Sequence, residues 1–147
     1  MNKKQTLDEL EKARVSHIEQ MNKIDSTLHN VKIARPTAVA QTECAFGKWL
    51  YSGDVHIESL IGEQFYNKIE SLHSQWHKQY FKIYRICFPE EKKGIFSKIL
   101  GSSGIDPMAL DKAKLYYVEL QEITSELLKV LASSRRRLEA LNEAKFD

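Results

Sequence analysis

The sequence predicts an all-α fold, an antiparallel four-helix bundle with long first and last helices, and three observations predict it. Residues 1–35 and 108–147 contain neither proline nor glycine and are rich in Glu, Lys, Leu and Ala, a composition that favours helix. Apolar residues recur at heptad spacing in both stretches and at three- and four-residue spacing between them. The breaking residues are confined: Pro36, Pro89 and Pro107 divide the chain, and all six glycines lie between positions 47 and 104. No period-two strand pattern competes, and an amphipathic set of helices joined by short breaks buries its apolar stripes as a bundle.

The first helix is expected over residues 1–35. Leu7, Arg14, Met21 and Leu28 recur every seven residues, interleaved with Leu10, His17, Ile24 and Val31. Arg14 is the exception on this seam, a residue for the bundle rim or for pairing across a dimer. A short second helix is expected over 38–52, with Ser52–Gly53 ending it as a glycine cap does. Ile61, Phe65, Ile69, Leu72, Trp76, Tyr80 and Ile83 define a third helix over 58–88, ending before Pro89. Residues 89–106 read as a loop with one helical turn at IFSKIL. The fourth helix is expected over 107–145: Asp106 supplies an N-cap side chain and Pro107 the first helical position. Its seam, Leu110, Tyr117, Thr124, Leu131 and Leu138 alternating with Ala113, Leu120, Leu127, Ser134 and Leu141, persists for about five heptads.

A length of 147 residues, 42% hydrophobic, corresponds to one domain. Twenty-two Lys and Arg against 20 Asp and Glu leave a formal charge of +2, too even for a nucleic-acid footprint or a polybasic membrane anchor. No apolar run approaches the roughly 18 residues of a membrane span, and no apolar h-region follows Lys3–Lys4, so the chain reads as cytoplasmic. Arg135–Arg136–Arg137 and Glu90–Glu91–Lys92–Lys93 read as solvated charge.

The scarce chemical residues are two cysteines, Cys44 and Cys87, and five histidines at 17, 29, 56, 73 and 77. Two cysteines make no disulfide framework, so each is inert core or a metal or redox group. His73 and His77 lie on one helix face about 6 Å apart along the axis, a recurrent bidentate metal clamp and equally a common polar patch. His17 sits on the seam of a Leu/Met/Ile helix and so faces the interior, where its ring must find a partner: a satisfied core histidine, or one that converges with a pair on a packed neighbour. His29 lies about 18 Å along and about 120° around the helix from His17, so the two cannot share an ion. His56 follows a glycine in a loop. Cys44 precedes Gly47, and a glycine inside a helix, costing about 1 kcal/mol relative to Ala, marks the close passage of another group. Cys87 reads as a small buried hydrophobe near a helix end. Three imidazoles and a thiolate suit zinc, and four protein donors leave no position for a catalytic water.

Enzyme readings are the least supported. His73-Ser-Gln-Trp-His77 has the histidine spacing of a zinc-protease helix, but Ser74 stands where the general-base glutamate belongs. Glu70-x-x-His73 matches one element of a di-iron carboxylate bundle, and no second such element occurs.

Cys44-Ala-Phe-Gly47-Lys-Trp49-Leu50 resembles the C-x-[LF]-G-x-W-[LY] signature of the chemoreceptor zinc-binding (CZB) domain, a bacterial cytosolic sensory module. His17 upstream and His73-x-x-x-His77 downstream stand at about the family's spacing. The resemblance implies a zinc ion held by His17, Cys44, His73 and His77, with Gly47 and Trp49 as supporting motif residues, and a homodimer that controls chemotaxis or cyclic-di-GMP synthesis. It also implies a sensing role, and thiolate chemistry adds a redox one. Metal binding holds Cys44 in its reactive form, and oxidation of the sulfur removes a ligand. The competing expectation is a structural zinc in a helical interaction or dimerisation protein.

Overall fold

The computed structural model describes residues 1–31, 36, 40–53, 56–89 and 105–146. Among them the fold is all helical, with no strand. Five α-helices follow in order: α1 Lys3–Leu28, α2 Ala45–Tyr51, α3 Ile57–Ile61, α4 Glu63–Cys87 and α5 Pro107–Ala140, with a 3-10 turn at Glu143–Lys145. Of these helices of the described residues, three are long and two are short; four were expected over the chain, part of which lies outside the described residues.

Helix α1 starts in a capping box: the Asn2 side chain accepts from Gln5 N–H, and the Gln5 side chain accepts from Asn2 N–H. Its buried residues, Thr6, Leu10, Ala13, His17, Met21, Ile24 and Leu28, advance by three and four. A straight helix drifts about 20° per strict heptad, so the face leaves Arg14 outside. Arg14 is exposed and forks onto the Glu11 carboxylate, which also meets Arg135. The helix ends at Leu28, short of residue 35. Asn30 adopts φ 58, and the Asn30 and Val31 N–H groups return to the Thr27 and Ser26 carbonyls. This is a Schellman stop built on asparagine in place of glycine. Residues 32–35 lie outside the described set.

The second helix is seven residues long and begins at Ala45, with Cys44 as its N-cap, not at 38. It ends where expected, at Ser52, and Gly53 follows at φ 72. The expected third helix is divided. Gly62, at φ 93, turns the chain between α3 and α4, a conformation that a side chain resists. Asp106 caps α5 by accepting from Ala109 N–H at 3.1 Å, and Pro107 is its first residue. Helix α5 ends at Ala140, short of 145, and Lys3 Nζ donates to the Glu139 and Leu141 carbonyls at 2.7 Å each. The expected loop over 89–106, with its turn at IFSKIL, falls almost wholly outside the described residues.

Helix α5 is the spine. Along α1 it pairs Glu139 with Lys3 and Arg135 with Glu11. Along α4 it pairs Arg137 with Phe65, Thr124 with Trp76 and Tyr116 with Gln79. In each series the α5 number falls as the partner's rises, so α5 runs opposite to both, and α1 and α4 run the same way. The core between them is largely apolar, with Ile24, Ile69, Ile83, Leu120, Leu127 and Leu138 fully buried. No helix among the described residues is long and apolar enough to cross a membrane.

Candidate metal centre

The described residues contain one group of three or more His, Cys, Asp or Glu able to hold a metal ion: His17, Cys44, His73 and His77. One ligand atom from each lies within 4.8 Å of all the others. The donors come from three elements: α1, the N-cap of α2, and two successive turns of α4.

His17 reaches the interior because it falls on the buried face of α1. Its Nδ1 donates to the Ala13 carbonyl one turn back, at 2.6 Å. A carbonyl only accepts, so the proton is on Nδ1 and the Nε2 lone pair is free to bind. His73 and His77 share one face of α4, with their Nε2 atoms 3.0 Å apart. The three imidazole planes stand 76–85° from one another, with centroids 4.6–5.7 Å apart.

Cys44 Sγ lies 3.3 Å from His73 Nε2 and accepts from Gly47 N–H at 3.2 Å. The second contact is a helix cap made by a sulfur, and it fixes the rotamer that aims Sγ at α4. Gly47 is required for a separate reason. A Cβ there would stand 1.6 Å from the Gln41 carbonyl oxygen, because the turn that delivers Cys44 passes directly over it. The close approach expected from a glycine inside a helix is thus present. Trp49, the other motif residue, is buried and stacks on Phe46, whose ring stands steeply inclined to those of His17 and His73, at 88° and 75°.

Burial sets the electrostatics. His73 is 0% exposed, His17 3% and His77 5%. Desolvation, and then the neighbouring His17 and His77 rings, hold the His73 imidazolium down to about pH 3. Desolvation also lowers His17. Burial pushes the Cys44 thiol up, against the Gly47 and Phe46 N–H groups and the Lys48 charge, which favour thiolate. At neutral pH His17 and His73 are therefore uncharged. Two Nε2 atoms at 3.0 Å share at most one proton, and the Nδ1 of His73 is buried without a hydrogen-bond partner.

This donor set fits zinc. With Zn–N near 2.0–2.1 Å and Zn–S near 2.3 Å, adjacent ligand atoms of a tetrahedral site lie about 3.3–3.6 Å apart. The two short edges here are 3.0 and 3.3 Å. Neutral imidazole and sulfur are also the ligand types zinc favours.

Sequence reasoning missed the group that supports the imidazoles. Trp76 packs edge-on against His17 and His77, with centroids 4.6 and 5.0 Å away. Its Nε1 donates to Thr124 Oγ1 at 2.9 Å, and Thr124 donates on to the Leu120 carbonyl at 2.6 Å. The available signal was a threonine on the α5 seam. The remaining scarce residues stand apart from the cluster. His29 is exposed and bonds within its own turn, to Asp25. His56 is the exposed N-cap of α3. Cys87 lies at the end of α4 among Tyr84 and Phe88.

No curated protein and no solved structure matches this chain. The model of one family, the chemoreceptor zinc-binding domain, matches residues 17–84. The match opens on His17, spans Cys44, His73 and His77, and stops before α5. The stretch of the chain that brings four zinc-type donors together is therefore the stretch that matches the chemoreceptor zinc-binding (CZB) domain.

Proposed function

We propose that the protein is a zinc-binding sensory or regulatory module in which His17, Cys44, His73 and His77 hold one zinc ion. The observation that carries the reading is convergence: four donors from α1, the α2 cap and α4, three buried and Cys44 half-buried, within 4.8 Å of one another. Bound zinc would supply a positive charge that keeps Cys44 as thiolate and a cross-link among three elements. The chain's own part is to hold the donors ready. Ala13 fixes the His17 tautomer, Gly47 N–H orients the sulfur, and Trp76 walls the imidazoles.

In this reading α1, α2, α4 and α5 make up an antiparallel four-helix bundle. A metal-dependent tie between α1 and α4 is a means of altering how both rest on α5. The match to the chemoreceptor zinc-binding domain supports a role in bacterial chemoreceptor signalling. Control of chemotaxis or cyclic-di-GMP synthesis in the cytoplasm, without catalysis by the module itself, completes the reading. Homodimerisation is supported by Met108, Leu115 and Val118, exposed large apolar residues seven and three positions apart on α5.

Elemental analysis of purified protein tests the centre. One zinc per chain is expected, with loss in Cys44→Ala and His77→Ala. Full stoichiometry in both variants would reject the ligand set. Titration with buffered zinc separates sensing from a purely structural ion: a sensor changes occupancy over plausible free-zinc levels, whereas a structural site stays full. Oxidant sensing by Cys44 requires zinc release by hypochlorous acid or peroxide before bulk unfolding.

A further inference from the structure

We propose that the cavity lined by Ser16, Gln20, Glu43 and Tyr80 is the route by which a divalent cation enters and leaves the donor cluster, with the Glu43 carboxylate as its outer landing point. The inference rests on the zinc-binding reading above and concerns how the ion is exchanged.

The cluster is closed on most sides. His73 is wholly buried, Phe46 covers His17 and His73, and Trp76 backs His17 and His77. Cys44 is the one donor that is only half-buried. A cavity of about 240 Å³ meets it there, with His17, Cys44 and His77 all on its wall. Location, not size, singles it out. A larger cavity of about 620 Å³ between α2, α3 and the start of α4 touches none of the four donors.

Size and charge suit a cation. At roughly 30 Å³ per water, six waters around an ion occupy about 180 Å³, so a largely hydrated divalent cation fits before it sheds its shell. Among the described residues Glu43 is the only carboxylate on this wall; it is exposed and immediately precedes Cys44. Ser16 and Gln20, one turn apart on α1, add neutral oxygens to the same wall, that of Gln20 also accepting from the Tyr80 hydroxyl at 3.3 Å. A carboxylate at the mouth concentrates cations and repels anions. Oxygen donors then replace water before the nitrogen and sulfur donors take over. As the metal–sulfur bond forms, the Cys44 S–H bond breaks, and its proton leaves to water through the same opening.

The test is stopped-flow zinc loading of apo-protein and zinc release to excess chelator, in a Cys87→Ser background with zinc content measured in parallel. Gln20→Trp narrows the cavity, and Ser16→Phe narrows it from a different turn in case the first variant misfolds. In either variant loading and release should both slow by about tenfold, equivalent to a higher barrier with little change in Kd. Glu43→Gln should slow loading by about three- to tenfold and flatten its salt dependence. Iodoacetamide labelling of Cys44 in the apo-protein supplies a readout that needs no zinc, and it should slow in both narrowed variants. One zinc per chain with unchanged exchange and labelling rates would overturn the route and leave the zinc reading standing. Absence of zinc from wild type, with labelling still slowed, would overturn the zinc reading and the cation's passage together, leaving the cavity as the thiol's access path.

Discussion

Cys44 and Cys87 are both half-buried, both next to a helix end, and both raised by burial, yet their surroundings give them different chemistry. Cys87 packs against the hydrophobic core and nothing opposes desolvation, which pushes its thiol up to about 11. Around Cys44, two backbone N–H groups and Lys48 work against the same penalty, and three imidazoles face the sulfur. A thiol is a hydrophobe or a ligand according to what converges on it, not according to its exposure.

The comparison is broken most directly by removing metal. At a thousandfold excess of free zinc over Kd, linkage predicts that chelation lowers the unfolding free energy by about 4 kcal/mol. Denaturant melts of the zinc and chelated forms should show that gap in wild type and in Cys87→Ser, and no gap in Cys44→Ala.

Acid provides the next test. Folded His73 stays neutral down to about pH 3, whereas the unfolded chain takes up that proton near 6.5. Between these values the unfolded state binds more protons, so the apo-protein loses stability as pH falls below 6.5. The slope is about 1.4 kcal/mol per pH unit while one such histidine titrates, and the loss accumulates until about pH 3. Cys87 contributes nothing in this window. Replacement of His73 by Gln should flatten the apo-protein's slope in urea melts taken from pH 7 to pH 5.

Gly47→Ala sharpens the contrast from the backbone side. The new Cβ collides with the Gln41 carbonyl, so the turn carrying Cys44 must move, at about 2 kcal/mol of stability. Zinc affinity should fall with it, as competition against a colorimetric chelator would report. The smallest effect is expected for Thr124→Val, which leaves the buried Trp76 N–H without its acceptor, at about 1–2 kcal/mol. A thermal melt reads the loss, and tryptophan emission should shift as the wall behind His17 loosens.

Much of this was legible in the chain. Heptad seams marked the buried faces of α1 and α5, Asp106–Pro107 marked the start of α5, and Gly47 marked a close contact that proves to be the Gln41 carbonyl. The spacing of His73 and His77 gave a shared face. Element ends were harder to read. Asn30 stops α1 by occupying the left-handed region that a search for glycine overlooks, and Gly62 divides a helix whose apolar spacing runs through it. Arg14 looked like a seam residue because a strict heptad departs from the true helical period over two turns.

By itself the sequence determined which residues can be buried and which can donate, because periodicity and side-chain chemistry are local properties. It also carried a cysteine motif and histidine spacing that resemble the family whose model matches residues 17–84. Only the tertiary structure decided that one thiol of two and three imidazoles of five share a space less than 5 Å across. It likewise decided that Trp76 backs them through Thr124, and that a cavity opens on Cys44 beside Glu43. Such convergence depends on how α1, α4 and the α2 cap cross, and a crossing is set by the packing of many side chains together, which no single stretch of sequence encodes.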